Sequence, residues 1–136
     1  MQSLKVNDQN FASVNWENEY YKYCEFVDIS TDGGHVTSDF ANCTFKNIDW
    51  YWGIFNIVNF VDCIFVNCVF RGTSFSDCKF VKCELQDCRF IKDNLDGDCT
   101  FDGAVAYNCE VSNSEGFEPD FRYTVVSIRS LENKIM

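Results

Sequence analysis

From Phe40 onward an aromatic residue or Leu recurs at every fifth position: Phe40, Phe45, Trp50, Phe55, Phe60, Phe65, Phe70, Phe75, Phe80, Leu85, Phe90 and Leu95. Two residues before each centre stands a small or compact residue, most often Cys: Ser38, Cys43, Ile48, Gly53, Val58, Cys63, Cys68, Thr73, Cys78, Cys83 and Cys88, with Asp93 the exception. Asn, Asp or Gly is frequent two residues after the centre (Asn42, Asn47, Asp62, Asn67, Gly72, Asp77, Asp87), where a tight turn favours them. One extra residue in Asp96-Gly97-Asp98 moves the phase, which resumes as Cys99-x-Phe101, Ala104-x-Ala106 and Cys109-x-Val111. Upstream, Val6, Phe11, Trp16, Tyr21 and Phe26 hold a different phase, with Val14 and Cys24 at the compact offset.

A period of five matches neither the 3.6 of a helix nor the 2 of a lone strand. It matches a chain that turns a corner every five residues. Four such sides make a square coil of roughly 20 residues, so that residues 20 apart stack as neighbouring parallel strands about 4.8 Å apart. The centres then form an inward ladder in columns: Phe40/Phe60/Phe80/Phe101, Phe45/Phe65/Leu85, Trp50/Phe70/Phe90/Val111 and Phe55/Phe75/Leu95. The compact residue has a steric reason, because each short side points two residues into a narrow lumen that has room for one ring.

In these residues the chain resembles the pentapeptide-repeat family, whose motif A-(D/N)-L-x-x is here mostly Cys-x-Phe. The resemblance is strong over 36–112, fair over 4–27 and absent after about 114. It implies an all-β, right-handed quadrilateral parallel β-helix of about five coils within a single domain, 1–136. The phase break at 28–36, with Asp32, Gly33, Gly34 and His35, reads as a loop leaving the coil, either a tolerated insertion or a contact loop. Residues 113–136 read as a C-terminal cap or dimerisation tail: Tyr123–Ile128 extended, Leu131–Met136 a helical turn. The tail covers the last coil or joins a second copy into a homodimer.

Composition narrows the chemistry. With 14 Phe and one Pro in 136 residues, the chain has an ordered interior and the size of one domain. Met1-Gln-Ser-Leu-Lys is unlike a signal peptide and no stretch resembles a membrane span, which predicts a cytoplasmic protein with no membrane partner. Nine Cys, an odd number most often spaced by five, read as compact buried thiols rather than disulfides or a zinc site. His35 is the one His, and no catalytic or phosphate-binding motif accompanies it, so neither catalysis nor a cofactor is expected. A net charge of −10 disfavours direct nucleic-acid binding.

The outward positions of one coil are unusually apolar: Tyr51, Trp52, Ile54, Ile57, Val61 and Ile64. Exposed Trp and Tyr are favoured at binding hot spots. The expected function is therefore an acidic module that binds and neutralises or scaffolds a protein partner, as a toxin-immunity protein does. The alternative, drawn from the resemblance, is a DNA mimic acting on a type II topoisomerase such as gyrase, as quinolone-resistance members do; a structural module without a dedicated partner is a third.

Overall fold

A computed structural model describes residues 2–127. The chain is all-β, and it winds as a four-sided solenoid in which neighbouring strands are parallel. On side one, Tyr21, Phe40, Phe60, Phe80, Ala106 and Phe121 are successive partners. Side two stacks Val6, Phe26, Phe45, Phe65, Leu85, Val111 and Val126. Thr31, Trp50, Phe70 and Phe90 form side three. Side four carries Val36, Phe55 and Phe75, then Phe101, whose ring stacks on Phe75 at 5.3 Å and 9°. Tyr21 to Ala106 is four complete turns, followed by a three-sided one to Phe121, where about five were expected.

The ladder sets the geometry of the lumen. Along the axis the rings lie face to face, as in Phe45/Phe65 at 4.7 Å and Phe60/Phe80 at 4.9 Å. Around each turn they meet edge to face, as in Phe40/Phe45 at 75° and Phe60/Phe65 at 69°. The edge-to-face meetings place a positive ring edge against a negative ring face, an arrangement that strengthens the area term. The compact residues fill the remaining space and also satisfy backbone: the Cys63, Cys68 and Cys83 thiols donate to the Phe40, Phe45 and Phe60 carbonyls of the preceding turn at 3.4, 3.2 and 3.2 Å. All nine Cys are free. At each corner the residue two after the centre takes a left-handed conformation, with φ between +52° and +56° from Asn42 to Asp87. Asn, Asp and Gly enter that region at least cost, which explains their recurrence.

Three expectations are corrected. Leu95 is not in the ladder but 79% exposed. Phe101 stacks over Phe75, not Phe80, whose partner is Ala106, and Val111 sits over Leu85, not Phe90. Likewise Cys109 follows Cys83, whereas Cys99 meets Thr73, whose N–H donates to its sulfur. The interruption is a six-residue excursion over 93–98 rather than one extra residue, and a count modulo five cannot tell the two apart.

The second correction concerns 28–36, where no loop leaves the coil. Strand Glu25–Asp32 runs in register with Thr44–Tyr51. Gly33 is an ordinary corner, its N–H donating to the Tyr51 carbonyl at 2.7 Å, and His35–Val36 opens side four. The phase slips because Val36 to Phe40 spans one residue fewer than the regular step. Finally, 113–127 is not a lid laid across the coil. Asp120–Arg122 and Val125–Ser127 extend sides one and two as parallel strands. Phe117 turns inward and plugs the lumen against Phe80, Phe90 and Phe101, as Phe11 and Trp16 do at the other end against Trp50 and Phe26. The helical turn expected at Leu131–Met136 lies outside the described residues.

Candidate functional site

The apolar belt is divided by the corners. Ile54 and Ile57, 40% and 63% exposed, lie on side four and at its far corner. Tyr51 leads into its near corner and Trp52 occupies it, their rings edge to face at 5.4 Å. Val61 faces out from side one and Ile64 from side two, the face opposite side four. A flat partner seated on Trp52 therefore cannot reach Ile64.

Trp52 and Ile57 stand at corners with φ of +55° and +54°. A left-handed backbone costs a residue with a Cβ about 1–2 kcal/mol, and β-branching makes Ile57 a clear outlier. Along side four, the outward neighbours of these residues are small or polar: His35, Thr37, Asn56, Ser74, Ser76, Asp77, Thr100 and Asp102. No Lys or Arg stands among them.

The excursion at 93–98 folds back along the rod to brace this corner. The Asp93 carboxylate accepts from Trp52 Nε1 at 2.8 Å, from Leu95 N at 2.7 Å and from Gly97 N at 2.9 Å. The Gly97 and Leu95 N–H groups and the Trp52 indole together hold this carboxyl below its ordinary value of 3.8. The carboxylate passes over Gly72, where any Cβ would collide with it. Asn94 then forms one wall of an open cleft of about 420 Å³, whose other walls are Ser30, Thr31, Asp32, Tyr51 and Trp52. Beyond Tyr51, the Arg71 guanidinium lies 5.2 Å over the ring and pairs with Asp49 at 3.0 Å.

Of the four residues expected to form a contact loop, Asp32 lines the cleft, Gly33 and Gly34 make the adjoining corner, and exposed His35 pairs as a strand with Ile54. Among the described residues the His35 side chain has no hydrogen-bond or ion-pair partner, so no thiol or hydroxyl is poised by it. Burial pushes the Cys78 thiol up to about 11, and Cys99, the one Cys not fully buried, is also raised by burial. These thiols are packing groups and hydrogen-bond donors rather than nucleophiles. The excursion that braces the site escaped the sequence reading, although Asp93 signalled it as the one charged residue at a compact position.

No curated protein matches the chain. Two solved structures of QnrB1, described as a plasmid-mediated fluoroquinolone resistance protein, are similar at low identity. The full-length form is 14% identical with a TM-score of 0.30, the alignment covering 99% of this chain and 96% of that one. A trypsin-treated variant is 9% identical with a TM-score of 0.31, covering 99% and 93%. The family model for pentapeptide repeats matches residues 55–90 as eight copies. Those copies are the sides running from Phe55 to Phe90, and the paired register carries the same five-residue side back to Tyr21 and on to Val111, so residues 55–90 match the pentapeptide-repeat family and the winding they share extends over both flanks.

Proposed function

We propose that this protein is a rigid, non-catalytic acidic module that binds a protein partner through side four, with Trp52, Ile54 and Ile57 as the contact residues. One observation carries the reading: the two corners flanking side four hold Trp52 and Ile57 in a left-handed backbone that Asn, Asp or Gly would occupy at lower cost. Retaining large apolar groups where the fold disfavours them fits strain kept for contact. Neutralisation of a toxin is the form of this activity that a small acidic binder of one tight partner suits best. Tyr107, Phe121, Tyr123 and Val126, exposed on the last turns, make that end the place where a second copy would join.

The test replaces Trp52 and Ile57 by Asn. Asn suits both corners, so the double variant keeps the native circular dichroism and loses no more than about 1 kcal/mol, since relief at Ile57 offsets the lost Asp93 contact. Affinity capture should recover a stoichiometric partner with the wild type and lose it with the variant. An unchanged partner set removes the site.

A second reading, mimicry of DNA towards a type II topoisomerase, is favoured by the carboxylates on side two, where Glu25, Glu84 and Glu110 share one row. Thr44 and Ile64 interrupt that row, and Lys46 stands beside it on the same side. Gyrase supercoiling unaffected at micromolar concentration would remove this reading.

A further inference from the structure

We infer that the cleft at the corner of sides three and four is a receptor for an arginine side chain presented by the protein partner. This rests on the protein-binding reading and specifies what the partner brings. The cleft is built from three separate stretches: Ser30, Thr31 and Asp32 end one turn, Tyr51 and Trp52 end the next, and Asn94 returns from the excursion. Its floor is open because the corner next to Trp52 is Gly33, and a Cβ added at Gly33 or at Gly34 would meet nothing within 4 Å. On the other side of Trp52 the Gly72 corner is filled by Asp93. One side of the indole is therefore braced, and the other gives onto the cleft.

The chemistry of the walls selects a cation. Asp32 has no ion pair among the described residues, whereas the cations nearby are committed: Arg71 to Asp49 at 3.0 Å, Lys92 to Asp96 at 3.2 Å. Aromatic faces beside an unpaired carboxylate favour a planar guanidinium, which stacks and forks to oxygen at once. The protein uses the same pairing one row away, where Arg71 lies over Tyr51 while bonding Asp49. The Asn94 amide and the Ser30 and Thr31 hydroxyls add acceptors for the remaining N–H groups. A carboxylate ligand would meet Asp32 with no cation among the lining residues to receive it, and a purely apolar one would leave Asp32 desolvated and unpaired.

The test uses uniformly 15N-labelled protein titrated with N-acetyl-arginine methylamide, and with the citrulline analogue as the neutral control. The arginine derivative should shift the Trp52 indole N–H and the Gly33 and Gly34 amides saturably, with a Kd of roughly 30–100 mM, as expected of one exposed cation–π contact and one exposed ion pair. Asp32→Asn, a surface change that leaves the remaining spectrum in place, should weaken binding by about fivefold. Absence of saturable shifts, equal shifts with citrulline, or an affinity unmoved by Asp32→Asn would overturn the assignment. If the arginine titration is silent while the Asn double variant still loses a captured partner, the receptor falls and the side-four interface stands.

Discussion

Each side must match its own pair of inward residues, and Trp50 shows how closely. In the column where Phe70 and Phe90 stand, Trp50 is one ring larger, and its indole N–H reaches the Gly33 carbonyl at 2.9 Å. The next compact position is Thr73 after Phe70 and Cys99 after the excursion, but Gly53 after Trp50. A Cβ at Gly53 would stand 2.6 Å from Trp50 Nε1 and 2.9 Å from its Cδ1, both in a rigid ring. Gly53→Ala should cost about 1–3 kcal/mol by overpacking. Trp50→Phe should cost a comparable amount through the lost volume and hydrogen bond. The double variant restores the pairing used elsewhere and should cost clearly less than the sum. Urea denaturation of the four proteins measures the coupling, and additive costs would show that the two side chains do not share one space.

The element that departs most from the repeat is the excursion at 93–98, and it can be removed without disturbing the winding. Joining Lys92 to Cys99 places Phe101 five residues after Phe90 in a regular side, with Lys92 at the corner position that Lys82 already occupies at φ +54°. Deleting the six residues should therefore leave the far-ultraviolet circular dichroism unchanged and move the thermal midpoint by no more than about 5 °C. The arginine titration should become silent, since Asn94 and the brace on Trp52 are gone. Loss of the native spectrum would mean that the excursion is part of the coil. This element also marks the limit of what was legible beforehand. The five-residue period disclosed the sides and the inward residues, because a lumen constrains every side alike. It could not disclose how many residues an interruption takes out of the winding, since one and six leave the same phase. The columns beyond Phe90 were misassigned for that reason. So was the Gly33-Gly34 corner, where a deletion after Val36 mimicked an insertion. The site suffered most: Trp52 and Ile57 were visible as outward apolar residues, but the division of the belt by corners and the return of Asp93 are three-dimensional facts.

At the scale of the whole molecule, stability is transmitted along one axis. Apart from the reach of Asp93 to Trp52 and of Phe11 to Trp50, each turn pairs with the turn above and the turn below, so the free energy is close to a sum over neighbouring turns, and the ends are weakest. The two ends are not alike. At the N-terminal end the lumen is closed by Phe11 and Trp16, packed on Trp50, Phe26 and Phe40. At the C-terminal end the ladder narrows from Phe80 to Ala106, and the last turn has three sides, with Phe121 and Val126 41% and 51% exposed. Between them, Phe55 to Phe90 have ring neighbours around the turn and along the axis. Amide hydrogen exchange under native conditions should follow this profile. Protection should be greatest for Ile64–Val66, Val69–Arg71 and Lys79–Val81, lower but measurable for Tyr20–Lys22, and least for Asp120–Arg122 and Val125–Ser127. Exchange at Val125–Ser127 should be at least tenfold faster than in the central strands, because these strands have a partner on one side only among the described residues. Uniform protection from Tyr20 to Ser127 would mean that the rod unfolds as one unit, and that its C-terminal end is held as firmly as its middle.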